Sequence, residues 1–152
     1  MRTILLVDDD EDYLDIAQRA IEREHLGADV NVARSGPEAL EKLGLGPERA
    51  ASPATAPTVE LAALFVDLNL PGVDGWEVLR RVRADARLHL LPVVVVSSSS
   101  RPEDVSRSYD LGANSYVVKQ FDASGPGRYL ARAMRYWLDL NRAAGPAPRM
   151  PR

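Results

Sequence analysis

Two apolar runs in this chain stop at carboxylates, a third stops at a hydroxyl and a fourth at an amine. Ile4–Val7 leads into Asp8 and Asp9, Leu61–Val66 into Asp67, Pro92–Val96 into Ser97, and Ser115–Val118 into Lys119. Carboxylates brought together repel one another. Asp8, Asp9 and Asp67 converging on one point would therefore invite a cation, and hard oxygen ligands suit Mg²⁺, which keeps several of its waters. A carboxylate beside such an ion can act as a nucleophile towards phosphorus. A hydroxyl at Ser97 and an ammonium at Lys119, facing it, would neutralise phosphoryl oxygens.

That chemistry requires the four runs to end on one side of the molecule. Thr3–Val7, Asp29–Ala33, Leu61–Val66, Pro92–Val96 and Ser115–Val118 read as strands, from their β-branched and aliphatic content. Between them the apolar spacing turns helical. Leu14, Ala17 and Ile21 mark a helix from Asp10 to His25 that Gly27 ends, and Val78, Leu79 and Val82 mark another. Ser35-Gly-Pro-Glu38 and Ser100-Arg-Pro-Glu103 are capping-box patterns that open two more helices. The last helix is expected from about Ser124 to Arg142. Strand and helix alternate five times, which predicts an α/β fold, a parallel sheet with helices on both faces. In such sheets sites form beyond the carboxyl ends of the strands. Asp10, Glu11 and Asp12 read as the start of a helix, where acids are favoured by the dipole.

The bulk numbers narrow the function. The chain has 152 residues and fits one domain. A formal charge of −3 gives no case for a nucleic-acid partner, and the absence of cysteine excludes disulfides and thiolate metal sites. No secretory signal or membrane span is predicted, so a cytoplasmic location is expected. Gly44–Thr58, rich in Gly, Pro, Ala and Ser, reads as an inserted loop at the end of the sheet opposite the acids, or as a loop hiding a helical turn at Glu48–Ala51. Residues 1–142 form the expected domain, and 143–152 (AAGPAPRMPR) an expected disordered tail. Lys42 and Lys119 are the only lysines among 19 basic residues. A compact ammonium at 119 suits a single phosphoryl oxygen better than a forked guanidinium.

The segments ILLVDDD, FVDLNLPGVDGWEVL, LPVVVVS and YDLGANSYVVK, in this order, resemble the receiver domain of two-component response regulators. The resemblance covers Thr3 to about Leu140. It implies a flavodoxin-like, doubly wound sheet of five parallel strands in the order 2-1-3-4-5 with five helices. It implies that Asp67 is the phosphoacceptor for a histidine kinase, with Mg²⁺ held by Asp8, Asp9, Asp67 and the backbone carbonyl of Asn69. Ser97 and Tyr116 would be the switch pair, although a strand tyrosine is ordinarily packing, and Lys119 would pair with a phosphoryl oxygen. SRSYDLGANSYVVK and RYWLDLN further resemble the small stand-alone receivers associated with bacterial phytochromes, generally dimeric, which implies a phytochrome-type kinase as partner. Tyr109, Tyr129, Met134 and Trp137 are the candidate dimer residues, because one helix face can hardly bury every apolar side chain of the last helix. After that helix too little chain remains for an output module, so output is expected through protein contacts.

Receivers usually follow this lysine with proline and a cis bond; here the pair is Lys119-Gln120. A cis bond before a non-proline residue costs about 2.5–4 kcal/mol. Either the bond is trans, with Lys119 aimed differently, or the loop is strained. That departure motivates a second reading, a degenerate receiver acting as a phosphorylation-independent dimeric module. A haloacid-dehalogenase-like phosphatase fits less well, since Asn69 stands where its general acid belongs. A flavodoxin function would force a flavin phosphate into the acids after the first strand.

Overall fold

The computed structural model describes residues 2–47, 58–121 and 127–152. Five parallel strands, β1 (Arg2–Val7), β2 (Asp29–Ala33), β3 (Thr58–Val66), β4 (Val93–Ser97) and β5 (Ser115–Val118), lie in the order β2-β1-β3-β4-β5. The helices are α1 (Glu11–Glu24), α2 (Gly36–Lys42), α3 (Gly75–Ala84), α4 (Pro102–Asp110) and α5 (Arg128–Arg135). This is the flavodoxin-like arrangement. No helix among the described residues is long and apolar enough to cross a membrane.

Alternation along the buried strands divides the core. Ile4, Leu6, Ala63, Phe65, Val94 and Val96 face one side, where Leu14 and Ala17 of α1 and Leu130 and Met134 of α5 cover them. Leu5, Val7, Leu64, Val66, Val93 and Val95 face the other, under Ala39 and Leu40 of α2 and Val78, Leu79 and Val82 of α3. Each face reads as apolar because both sides of a parallel sheet are covered. Arg83, at the end of α3, donates to the carbonyls of Gly112 and Leu91 and to Asn114 Oδ1, and so ties the α3–β4 and α4–β5 connections together.

α4 is held differently. Ser108 is its one buried residue, and its anchors are polar. Trp76 Nε1 donates to Ser108 Oγ at 3.1 Å, and the Arg107 guanidinium lies 4.0 Å from the Trp76 ring centroid. The expected Ser100 cap is not used. Arg101 is the N-cap residue and makes no side-chain cap bond, while Ser99 Oγ donates to Asp104 Oδ2 at 2.6 Å. Helix α1 stops earlier than Gly27, at His25, which adopts the left-handed conformation.

The chain end departs most from expectation. Arg149–Pro151 is a sixth strand, β6, antiparallel to β3, rather than a disordered tail. Val59 pairs with Met150, and Met150 is fully buried in the α2–α3 side of the core. Burying such a side chain contributes roughly 1.5–3 kcal/mol, which together with the pairing to β3 favours an ordered strand. The same pairing explains why β3 begins at Thr58, before its apolar run. The edge left by β4, which pairs β3 only from Leu64 to Val66, is occupied by β6. Most of the Gly44–Thr58 segment, with the turn considered at Glu48–Ala51, lies outside the described residues, as does the expected helix start at Ser124.

Beyond α5 the helix continues as one π-helical turn, Tyr136–Leu140, closed by Asn141 N–H to the Tyr136 carbonyl. Leu130, Met134 and Leu138 point inward, Trp137 is half-buried and Tyr136 is exposed. Met134 is fully buried in its own chain, so it is a core residue and cannot form an interface.

Candidate functional site

Three residues of the site each stand one step beyond a strand, yet stay in its hydrogen-bond ladder. Asp8 N–H donates to the Ala33 carbonyl at 3.0 Å, Asp67 N–H to the Val7 carbonyl at 3.0 Å, and Lys119 N–H to the Ser97 carbonyl at 2.8 Å. Neighbouring parallel strands lie about 4.8 Å apart. Residues leaving β1, β3 and β5 this way must gather at one edge.

Asp8 is 1% exposed and Asp67 6%, whereas Asp9 is open to solvent. Carboxylate oxygens of Asp8, Asp9 and Asp67 all lie within 4.8 Å of one another. Lys119 Nζ sits 2.6 Å from Asp8 Oδ2 and 3.1 Å from Asp67 Oδ2, with its side chain 7% exposed. Asp8 Oδ1 accepts the Asp10 N–H at 2.9 Å. Burial pushes the Asp8 carboxyl up, and the Lys119 hydrogen bond and Asp10 N–H only partly reverse this, leaving it above its usual 3.8. For Lys119 burial acts to lower the ammonium. The Asp8 hydrogen bond and the charges of Asp67 and Asp8 outweigh it, so the net shift is upward.

The Lys119–Gln120 bond is trans, since no described peptide bond is cis. Lys119 nevertheless reaches both acids, so the trans geometry does not aim it elsewhere. Under it lies Tyr13, from the first turn of α1, whose ring centroid is 4.3 Å from Nζ. The Tyr13 and Tyr129 hydroxyls are 2.8 Å apart and share a hydrogen bond. Burial, then the Tyr129 bond, push the Tyr13 hydroxyl above the ordinary tyrosine range, so it stays protonated.

Ser97 is fully buried and its Oγ accepts the Ser99 N–H at 3.2 Å. Tyr116 is half-buried and its hydroxyl donates to the Ser99 carbonyl at 2.8 Å. Asn69 stands exposed at the rim, its N–H directed at Asp67 Oδ1 at a long 3.4 Å. Of the interface candidates, Tyr109 is exposed, Trp137 is half-buried and edge-to-face with Tyr136, and Tyr129 is engaged with Tyr13.

Sequence reasoning missed Tyr13, Trp76 and Gly75. Helical spacing signals that Tyr13 is buried but not what lies over its ring. At Gly75 a Cβ would lie 2.1 Å from the Asp67 carbonyl oxygen. Only glycine lets α3 begin against the backbone that carries Asp67.

The donor set fits a divalent metal. It offers hard carboxylate oxygens, and Asp9 is open to solvent. Three carboxylates against one ammonium leave a formal deficit that a divalent cation matches.

Comparison with known proteins agrees with this architecture. The family model described as response regulator receiver domain matches residues 4–125. The chain is 35% identical to the protein named "Probable methanogenesis regulatory protein FilR2" of Methanothrix harundinacea (strain 6Ac), over 95% of this chain and 88% of that one. Among solved structures it is similar to the Mn²⁺-bound response regulator Rcp1, with 27% identity, a TM-score of 0.77 and 95% of this chain and 100% of that chain covered. Rcp1 comes from Synechocystis sp. (strain ATCC 27184 / PCC 6803 / Kazusa). It is similar also to the phosphorylated cyanobacterial phytochrome response regulator RcpA, with 31% identity, a TM-score of 0.78 and 94% and 98% of the two chains covered. The chain belongs to the response regulator receiver domain family.

Proposed function

We propose that this protein is a single-domain response regulator that accepts a phosphoryl group on Asp67 from a histidine kinase, in a Mg²⁺-dependent reaction. The observation that carries the reading is the buried Asp8–Lys119–Asp67 cluster, with an Asp9 oxygen within 4.8 Å of the other two carboxylates and Ser97 at the end of the strand that pairs with β5. An Asp67 oxygen attacks the phosphorus of a phosphohistidine, and the P–N bond breaks with its electron pair returning to the imidazole. Asp8, Asp9, Asp67 and the Asn69 carbonyl would hold the metal. Bound there, Mg²⁺ would supply positive charge to the phosphoryl oxygens. Lys119 supplies a further positive charge, and Ser97 a hydroxyl donor at the end of β4. Tyr116 is placed to change its hydrogen bond when the β4–α4 connection carrying Ser99 moves. Any catalysis is confined to the protein's own phosphorylation and dephosphorylation.

The likeness to RcpA, described as a phytochrome response regulator, supports a phytochrome-type kinase as partner. Signalling would proceed in the cytoplasm through protein contacts, with a homodimer using the face of Tyr109, Tyr129 and Trp137. The exposure of Tyr109 and of Tyr136, which packs edge-to-face on Trp137, supports that face. The phosphorylation-independent alternative loses its motive, because Lys119 reaches Asp67 through a trans bond.

Incubation with acetyl phosphate and Mg²⁺ tests the reading. Wild-type protein gains one phosphoryl group by intact-mass spectrometry and Asp67→Asn gains none. No modification of the wild type, by this donor or by a kinase, refutes it.

A further inference from the structure

We propose that Tyr13 is a positioning residue for Lys119, its ring face holding the ammonium towards Asp67 in place of the proline that this loop lacks. The inference rests on the phosphoacceptor reading above. Lys119 Nζ lies 4.3 Å from the Tyr13 ring centroid, and the ring is 7% exposed. The two described residues that follow Lys119 face solvent: Gln120 is exposed and Phe121 is 79% exposed. The Lys119 backbone is held on its strand side, by its N–H to the Ser97 carbonyl.

Tyr13 is itself fixed at both ends. Its N–H is taken by the Asp10 cap at 3.2 Å, and its hydroxyl by Tyr129 of α5 at 2.8 Å. The ring cannot swing away without breaking its hydrogen bond to Tyr129. A π face attracts an ammonium without neutralising it. That distinguishes it from the other partners of Lys119, Asp8 and Asp67. Once Asp8 is engaged with a cation and Asp67 carries the phosphoryl group as an acyl phosphate, both change their charge or their direction. Tyr13 does neither, so the ring still directs the ammonium when the phosphoryl oxygen arrives. The Tyr129 bond also connects this wall to α5, on the face considered for dimer contacts.

The test uses the scarcity of lysine. Protein labelled with ¹³C only at lysine gives two ε-methylene signals, from Lys42 and Lys119. Lys119 is expected upfield by the ring current in wild type and in Tyr13→Phe, and to lose that shift in Tyr13→Leu. Beryllofluoride affinity in Mg²⁺ is read on the same proteins. Tyr13→Leu is expected to weaken it about five- to thirty-fold, the range for losing a desolvated cation–π contact, with Tyr13→Phe restoring most of it. If Tyr13→Leu unfolds, Tyr13→Met fills similar space without a π face and carries the same comparison. A wild-type Lys119 signal without the ring-current shift, or a folded Leu or Met variant with wild-type affinity, overturns the positioning role alone. Wild-type protein that takes up no beryllofluoride overturns the phosphoacceptor reading, and this role with it.

Discussion

Replacing Lys119 by methionine keeps the length of the side chain and removes its charge. In the folded protein Asp8 and Asp67, 1% and 6% exposed, then face each other without the ammonium 2.6 and 3.1 Å away. Removing one partner of a buried pair costs about 3–5 kcal/mol. Protonation sets a ceiling on that cost, since one acid can take up a proton and share it with the other. Carrying Asp8 protonated costs about 1.4 kcal/mol for each pH unit above its unfolded value. From 3.8 to pH 7 that is about 4.4 kcal/mol, and to pH 5 about 1.6 kcal/mol.

The sign is fixed by the same linkage. An acid whose folded pKa lies above its unfolded value destabilises the ionised fold, and the penalty is relieved as pH falls through the folded pKa. Urea unfolding in EDTA should therefore show Lys119→Met less stable than wild type by about 3–4 kcal/mol at pH 7, narrowing to under about 1.6 kcal/mol at pH 5. Mg²⁺ at ten times its dissociation constant should return about 1.4 kcal/mol to the variant at pH 7. A deficit that is equal at both pH values, or a variant whose stability is indifferent to Mg²⁺, would refute the view that Lys119 is the counterion of a metal-binding acid pair.

Mg²⁺ affinity should fall as pH drops from 7 towards the raised Asp8 pKa, because the metal needs the ionised carboxylate; calorimetry showing affinity unchanged down to pH 4 would contradict it. Met150→Ala should cost about 2–4 kcal/mol in urea unfolding, with faster amide exchange at Val59 and Leu61, since Met150 is fully buried and Leu61 N–H donates to the Pro148 carbonyl at 2.8 Å. Gly75→Ala should slow phosphorylation at least about tenfold, because the added Cβ meets the Asp67 carbonyl at 2.1 Å and a misplacement of about 1 Å costs roughly a hundredfold in related chemistry. Wild-type phosphorylation rates in that variant would show that the backbone of Asp67 is not constrained from α3.

The acids could be found in the sequence because of where they stand. Asp8 and Asp67 each interrupt an apolar run at the point where a parallel strand must leave the core, and topology alone brings such points together. Asp10, Glu11 and Asp12 separate from them as expected: Asp10 is the cap, accepting the N–H groups of Asp12 and Tyr13, and the other two lie in the first turn. Strand β6 was hidden for the opposite reason. AAGPAPRMPR carries one large apolar side chain, Met150, and its partner Val59 is far away in the chain. No period exists in three residues that directly follow Pro148 and of which one is Pro151. The α4 cap was misassigned by one position: the N-cap is Arg101, whose side chain makes no cap bond, so a capping serine in the sequence pointed to a bond the helix does not use. Which of the neighbouring serines touches the helix start is decided by Asp104, to which Ser99 donates. Met134 fell among the interface candidates because helical spacing alone leaves open how many of the apolar side chains on the last helix face inward.

The missing proline shows most directly what the fold requires of its lysine. A cis bond at Lys119-Gln120 would cost about 2.5–4 kcal/mol, and the chain does without it. What places Lys119 is the β4–β5 ladder, which extends past Val118 through the Lys119 N–H to the Ser97 carbonyl. The strand therefore sets the origin of the side chain, and the groups that surround it set its direction: Asp8 and Asp67 on one side and the ring of Tyr13 beneath. Peptide geometry after the lysine then acts on the loop that follows, where Gln120 and Phe121 face solvent. On this account Gln120→Pro should alter the exposed loop while leaving the Lys119–Asp67 contact in place. A Lys119 ε-methylene signal that moves to its solvent-exposed position in Gln120→Pro would show instead that the loop governs the aim of the lysine.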